Sequence, residues 1–223
     1  TLLAWLLIAR GYRARRAGRS ADARRHFAQA VAASRRASSS TGLVRSLKGL
    51  GQIERDLGRG DAALPLYEEA VRICRDAGDA LRLAHTIRHL GDIHQDEARF
   101  ELAEPCYREA LAIYRSHHRT APLDLANAVR PFAILHETLG RPEQAIDLWT
   151  EARDLYVSMN LQAGVAESSD HLARLSASKG LPNKPLQPVR GMTLGSRPET
   201  VSRGGVVMAN QAINRVSRHV VLG

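Results

Sequence analysis

The chain contains little of what disulfide bonding and metal binding usually require. Cys74 and Cys106 are the only cysteines among 223 residues, and aromatic residues make up 4% of the sequence. Two cysteines are too few for a disulfide framework or a thiolate metal site. We therefore interpret both as small buried hydrophobic residues in a reducing compartment, and we expect a cytoplasmic protein.

Long apolar runs and catalytic motifs are also missing. No stretch reaches the roughly 18 apolar residues of a transmembrane helix. The nearest is "LLAWLLIA", Leu2 to Ala9, which we interpret as the apolar face of a first helix, with a residual signal or anchor as the alternative. No phosphate-binding loop, dinucleotide fingerprint or G-x-S-x-G sequence is present. The sequence therefore predicts a protein that is not an enzyme and binds no cofactor.

One segment has the spacing of a metal site. His85 and His89 are four residues apart, and Asp92 follows within one helical turn, so three ligands could lie on one face of a helix. The stretch "HTIRH" lacks the catalytic glutamate of zinc proteases. We expect no metal here and interpret the two histidines as a pair on the surface or in a groove.

What the sequence does contain is a repeat. A small residue, an alanine, an aromatic residue and a second alanine recur at intervals of 40, 40 and 42 residues, the signature of a stacked repeat array. In chain order the four sets are Gly11, Ala23, Phe27 and Ala30; Gly51, Ala63, Tyr67 and Ala70; Gly91, Ala103, Tyr107 and Ala110; and Ala133, Ala145, Trp149 and Ala152.

Each unit divides into two helices at a turn residue. These residues are Gly18, Gly58, Ala98 and Gly140. The predicted helices span about 2–17, 20–36, 43–57, 61–77, 80–98, 100–117, 122–139 and 142–158. A ninth helix, about 162–179, matches only the first helix of a unit and is expected to cover the last hydrophobic face.

The repeated residue types have a packing reason. Small residues such as Gly51 and Gly91 allow the two helices of a unit to approach closely where they cross. Large residues such as Tyr67 and Tyr107 fill the space toward the next unit. The alternation of small and large side chains therefore predicts an all-α protein in which each unit packs on its neighbours.

The pattern Leu-Gly, then Gly, then Ala-x-x-x-aromatic-x-x-Ala resembles the tetratricopeptide repeat. The period near 40 is similar to the longer-helix class of kinesin light chains and bacterial signalling proteins. The resemblance covers about residues 2–180, although Arg10 stands where leucine is expected. It implies a right-handed superhelical array, an α-solenoid of four repeats plus a terminal helix, which holds a peptide or partner protein in a concave groove.

The resemblance also implies which residues line that groove, because the first helix of each pair faces it. The implied residues are Arg45, Lys48, Gln52, His85, Arg88, Asp92, Asn127, Arg130 and Ile134. Lys48, Arg88 and Arg130 occupy equivalent positions, so we expect a ladder of cations that favours carboxylates of an acidic peptide or a chain terminus. The carboxylate clamp of chaperone-binding members is not predicted, because Gln52 and His89 stand where asparagine would be needed. The second helices are rich in carboxylates and predict an acidic convex face.

Charge divides the chain into three segments. Residues 1–60 contain 13 Lys or Arg against three Asp or Glu, residues 61–180 contain 13 against 19, and residues 181–223 contain six against one. The seven arginines from Arg10 to Arg25 raise an alternative function, the binding of nucleic acid or anionic lipid. From Leu181 onward the chain is rich in proline and loses its helical periodicity. We predict two regions, a helical domain over 1–180 and a mostly disordered tail over 181–223.

Overall fold

The computed structural model of the protein describes residues 2–179, which form nine α-helices and no strand. The helices are α1 Leu2–Arg16, α2 Ser20–Arg36, α3 Ser40–Asp56, α4 Gly60–Asp76, α5 Ala80–Asp96, α6 Phe100–Ser116, α7 Pro122–Thr138, α8 Pro142–Ser158 and α9 Gln162–Lys179. The all-α repeat architecture, with four helix pairs and a terminal helix, is therefore confirmed. The predicted tail lies outside the described residues.

Helix boundaries agree with the prediction to within three residues, and the largest difference has a local cause. The sequence predicts a start of α3 at residue 43, but the helix begins at Ser40. The Ser39 hydroxyl accepts a hydrogen bond from the Gly42 backbone N–H at 3.2 Å, and such a cap satisfies an amide that the first turn of a helix leaves unpaired. The turn residue Ala98 is left-handed, at φ 56°, like the glycines at equivalent positions.

The connections explain the change of period. Every turn between consecutive helices is three residues long except the one between α6 and α7, which spans residues 117–121. Those two additional residues convert the interval of 40 into 42 at that point in the chain. Such short turns make consecutive helices antiparallel neighbours. In addition, α1 contacts α3 and α5 contacts α7, so the first helices of adjacent pairs lie side by side.

The predicted small-against-large packing is present in each pair. A methyl group added at Gly11 would lie 2.8 Å from the Phe27 ring, and one added at Gly51 would lie 2.6 Å from the Tyr67 ring. Tyr67 also belongs to a buried cluster with Ile93 of the next unit, which confirms its position between units. The repeated glycines are therefore required by the aromatic residues that face them.

The apolar start of the chain forms the first helix, as expected, and one face of that helix is buried. Leu7 and Ile8 are in the core, whereas Leu2 and Leu6 are 74% and 50% exposed because no helix of the described chain covers the outer side of α1. None of the helices within residues 2–179 is both long and apolar enough to cross a membrane. Of the two cysteines, Cys74 is buried and Cys106 is partly buried.

Replacing Gly51 by alanine is expected to lower the free energy of unfolding by about 1–2 kcal/mol, because the new methyl group would overlap the buried Tyr67 ring. Gly91→Ala is the matched comparison. There the nearest atom, on Tyr107, would be 3.0 Å away, so the gain in helix propensity should offset much of the strain. Urea denaturation of both variants measures the difference. Equal stabilities of the two variants would contradict this account of the packing.

Candidate peptide-binding groove

A cavity of about 1220 Å³ lies between the first helices of the pairs. Its lining comes mainly from α1, α3, α5 and α7, with the aromatic rings of Tyr67 and Tyr107 contributing from the second helices. All nine residues that we predicted for the groove line this one cavity. The structure therefore brings them together on one surface, and their role in binding is taken up below.

Asp92 is the centre of the polar network in this groove. One carboxylate oxygen accepts from Arg55 at 3.1 Å, from Arg88 at 3.4 Å and from His89 at 3.2 Å, and the other accepts from the Tyr107 hydroxyl at 3.0 Å. Burial would raise the pKa of Asp92, but Arg55 and Arg88 outweigh it and hold the pKa well below its usual range. The charged carboxylate thus joins α3, α5 and α6 across the floor of the groove.

Arg55 was not among the predicted groove residues, although it is the most deeply buried cation of this network. Its side chain is 9% exposed and donates to Asp96 at 2.6 Å as well as to Asp92. One unit earlier, Arg15 donates to Asp56 at 3.0 Å. Both Arg15 with Arg55 and Asp56 with Asp96 are separated by 40 residues, so the repeat itself contained the signal for these ion pairs.

The predicted cation ladder has the right positions, but its members differ in charge compensation. Arg130 pairs with Glu167 of α9, at 2.8 and 2.5 Å, and Arg88 pairs with Asp92. Lys48 instead has its ammonium group 2.9 Å from Nδ1 of His85. The ladder is therefore largely neutralised at Arg88 and Arg130 and retains its positive charge at Lys48.

Lys48 is surrounded mainly by other cations. Burial, followed by Arg88, Arg82 and Arg45, lowers the pKa of its ammonium group to about 8, while Cys74 acts in the opposite direction. Arg45 is exposed, and its guanidinium lies 5.2 Å from the centre of the Trp5 ring. This end of the groove therefore carries an excess of positive charge.

The histidine pair is held in the neutral form by its neighbours. Arg88 donates to Nε2 of His89 at 2.6 Å, so the ring proton lies on Nδ1, which donates to Asp92. Burial, together with Arg88, lowers the pKa of His89 to about 3. Burial also lowers the pKa of His85, and His89 and Lys48 add to that effect.

No cluster suited to a metal ion occurs in the part of the chain that the structure describes. The spacing of His85, His89 and Asp92 instead positions a histidine–arginine–carboxylate network. Gln52, another predicted groove residue, donates to Asp56 at 2.8 Å, and Asn127 accepts from Arg88 through its backbone carbonyl at 3.4 Å. Ile134 contributes a partly buried apolar side chain to the same wall.

The convex face is less acidic than its carboxylate content predicts. Arginines of one second helix pair with glutamates of the next second helix along the array. The pairs are Arg35 with Glu69 at 2.7 Å, Arg75 with Glu109 at 2.8 Å, and Arg115 with Glu151 at 2.5 Å. They repeat at the period of the array and neutralise part of the convex surface.

The arginine-rich first pair is also partly neutralised. Of its seven arginines, four have carboxylate partners: Arg15 with Asp56, Arg19 and Arg25 with Asp22, and Arg24 with Glu54. The basic surface that suggested nucleic-acid or lipid binding is therefore smaller than the sequence predicts, and the structure adds no support to that alternative.

A stack of helix pairs with a polar groove on one side defines a solenoid repeat protein. The tetratricopeptide repeat profile matches residues 42–116, and the helix-pair arrangement extends on both sides of that range, from α1 to α9. Residues 42–116 therefore match the tetratricopeptide repeat family, and the helix pairs on either side resemble it in arrangement. No curated protein sequence matches it.

Several solved structures share this fold. BtubC (BKLC) from P. vanneervenii aligns with a TM-score of 0.60 at 18% identity, over 89% of this chain and 72% of that one. A kinesin-light-chain-like protein of Podosopora anserina, built from TPR-like repeats that are nearly identical to one another, aligns with a TM-score of 0.65 at 17% identity. The alignment covers 78% of this chain and 85% of that one. A variant of those repeats with a single substitution gives 0.66 at 16% identity, with the same coverage. At these identities the likeness concerns the fold alone.

Proposed function

We propose that this protein is a non-enzymatic scaffold that binds an extended, acidic segment of a partner protein in its concave groove. Tetratricopeptide repeats are in general protein–protein interaction modules, which supports the class of function. The observation that carries the specific proposal is the charge of the groove. Its lining includes eight Arg or Lys and four Asp or Glu side chains, a net charge of +4 with neutral histidines, and the pairs of Arg82 with Asp79 and Arg130 with Glu167 reduce it to +2.

The groove has the size for a peptide segment. Its volume, about 1220 Å³, exceeds the roughly 300–1,000 Å³ typical of small-molecule pockets. It is also open between rows of helices, so an extended chain can lie along it and present alternate side chains to successive repeats. A segment with carboxylates spaced along its length therefore fits this surface better than a compact ligand.

The distribution of charge indicates where the acidic side chains bind. Asp56, Asp92 and Asp96 already pair with arginines of the groove, so that part of the floor is balanced. The excess positive charge lies around Arg45 and Lys48, near the beginnings of α3 and α5. We place the main contact with partner carboxylates at this end, where attraction should also speed association and make it sensitive to salt.

The test is selection of unmodified peptides from a random library on the full chain, followed by affinity measurement with variants. We expect selected peptides to be enriched in Asp and Glu. Arg45→Glu should weaken their binding at least tenfold at low salt, because it reverses an exposed charge without breaking a buried pair. Arg72→Glu is the matched control, since Arg72 is exposed on α4 and lies outside the cavity lining.

Two results would contradict the proposal. Selected peptides without acidic enrichment would exclude an electrostatic groove, and equal losses for Arg45→Glu and Arg72→Glu would place binding elsewhere. Arg88 and Arg130 are unsuitable for charge reversal, because each is paired with a carboxylate inside the protein. Reversing them would test stability as much as binding.

A further inference from the structure

We propose that Lys48, Arg45, Arg82 and His85 form a pocket that binds a phosphate group, supplied by a phosphorylated side chain of the partner segment. This inference rests on the proposed use of the groove and adds the chemistry that one part of it recognises. The four residues lie on two adjacent first helices, α3 and α5, and all line the same cavity.

The first argument is the setting of the Lys48 ammonium group. It is half-buried at the wall of the cavity, and within the described residues its one hydrogen-bond contact is Nδ1 of His85, at 2.9 Å. Among its neighbours Arg88 acts on it most strongly, and Arg82 and Arg45 act in the same direction, while Cys74 acts in the opposite one. Buried charges in proteins are normally paired with a charge of opposite sign, so this setting favours an anion.

The second argument is that the nearby carboxylates are committed elsewhere. Asp92 accepts from four side chains, and Asp79 pairs with Arg82 at 3.1 Å while its side chain caps the first turn of α5. Asp56 and Asp96 are bound to Arg15 and Arg55. Moving any of these toward Lys48 would break an existing pair, which makes compensation by an external anion more favourable.

The third argument concerns the kind of anion. Lys48 offers three N–H donors, and Arg45 and Arg82 each offer a planar guanidinium that is at least partly exposed to solvent. With Arg82 paired to Asp79, the three cations keep a net charge of about +2, which exceeds the single charge of a carboxylate. A phosphate monoester carries a charge near −2 and three acceptor oxygens, so it matches this set of donors more closely.

Proton uptake follows from the same geometry. A phosphate beside Lys48 would favour the charged ammonium form, against the opposing effects of Arg88, Arg82 and Arg45 and with Cys74 acting in its favour. Since the pKa of Lys48 is about 8 without a ligand, binding should take up a proton above that pH. We expect the affinity for phosphate to fall about tenfold between pH 7 and pH 9.

The experiment is isothermal titration calorimetry on the full chain with three probes: inorganic phosphate, phosphoserine blocked at both ends, and glutamate blocked at both ends. We expect saturable binding of both phosphate probes, at least tenfold tighter than blocked glutamate. At pH 8.5, buffers of different ionisation enthalpy should report net proton uptake. Lys48→Met should abolish binding, whereas Arg72→Met, which removes one positive charge outside the cavity, should retain it.

A second variant keeps the binding test informative if Lys48→Met does not fold. Arg82→Gln changes a side chain that is 36% exposed, and it should weaken phosphate binding about tenfold while the far-UV circular dichroism spectrum stays unchanged. Equal affinity for blocked glutamate, or phosphate binding that Lys48→Met leaves intact, would overturn the pocket. Binding of inorganic phosphate without blocked phosphoserine would overturn the assignment to a phosphorylated segment. Because the library test uses unmodified peptides, acidic peptides could bind while phosphate does not, and the two proposals fail separately.

Discussion

Replacement of Arg55 by methionine should lower the free energy of unfolding by about 3–5 kcal/mol, the range for breaking a buried ion pair by removing one partner. The Arg55 side chain is 9% exposed, and its partners Asp92 and Asp96 are 7% and 13% exposed. Methionine fills the space of the aliphatic part of arginine but leaves two buried carboxylates with fewer donors. Urea denaturation at pH 7, monitored by circular dichroism, measures the loss.

The repeat supplies a matched control for this experiment. Arg15 and Asp56 form the equivalent pair one unit earlier, but their side chains are 31% and 28% exposed. Because solvent screens that pair, Arg15→Met should cost about 1 kcal/mol or less. Adding Asp96→Asn to Arg55→Met should recover part of the stability. An Arg55→Met variant that is no less stable than Arg15→Met would show that the buried network does not hold the floor of the groove together.

The helix pairs could be predicted from the sequence because their determinants are local and repeated. Gly51 opposite Tyr67 and Gly11 opposite Phe27 are separated by 16 residues within one unit, and each unit repeats the same solution. A helix that is ambiguous in one unit can therefore be assigned from the equivalent positions of the neighbouring units. The start of α3 was misplaced although its Ser39 cap has a counterpart 40 residues later, where the Asp79 side chain caps α5.

The lining of the groove was predictable for the same reason, whereas its charge balance was not. Equivalent positions in the repeat must lie on equivalent faces, so the side chains of Lys48, Arg88 and Arg130 share the cavity. Which of these cations forms an ion pair with a carboxylate depends on residues that do not follow the repeat. Glu167 lies on the unpaired helix α9, and no residue 40 positions earlier signals its contact with Arg130.

The groove contains groups that do little for folding. Lys48, which lies among arginines, and the neutral His85 and His89 are all desolvated in the folded protein. Apolar residues at these positions would pack with a smaller desolvation penalty. Natural proteins break local rules of stability mostly at functional sites. The contrast with the convex face, where arginines and glutamates alternate in pairs along the array, supports the concave side as the binding surface.

Acidification should destabilise the protein strongly between pH 6.5 and about pH 4.5, through His85 and His89. Both pKa values are lowered in the folded protein, to about 3 for His89, whereas an unfolded histidine titrates near 6.5. Below pH 6.5 the unfolded chain therefore binds more protons, and stability falls as the pH falls. Each histidine contributes up to about 1.4 kcal/mol per pH unit, so the pair should cost about 3–5 kcal/mol between pH 7 and pH 4.5.

The measurement is the free energy of unfolding in urea at several pH values for the wild type and the His85→Asn/His89→Asn double variant. His94 and His136 also have pKa values lowered by burial and contribute to both curves, so the difference in slope isolates the groove pair. His118→Asn, in the exposed turn after α6, should keep the slope of the wild type. Staying above pH 4.5 avoids most of the titration of Asp92, which would destabilise in the same direction at lower pH. Parallel curves for the wild type and the double variant would mean that the groove histidines accept protons in the folded state, and the neutral tautomers assigned from Lys48, Arg88 and Asp92 would then be wrong.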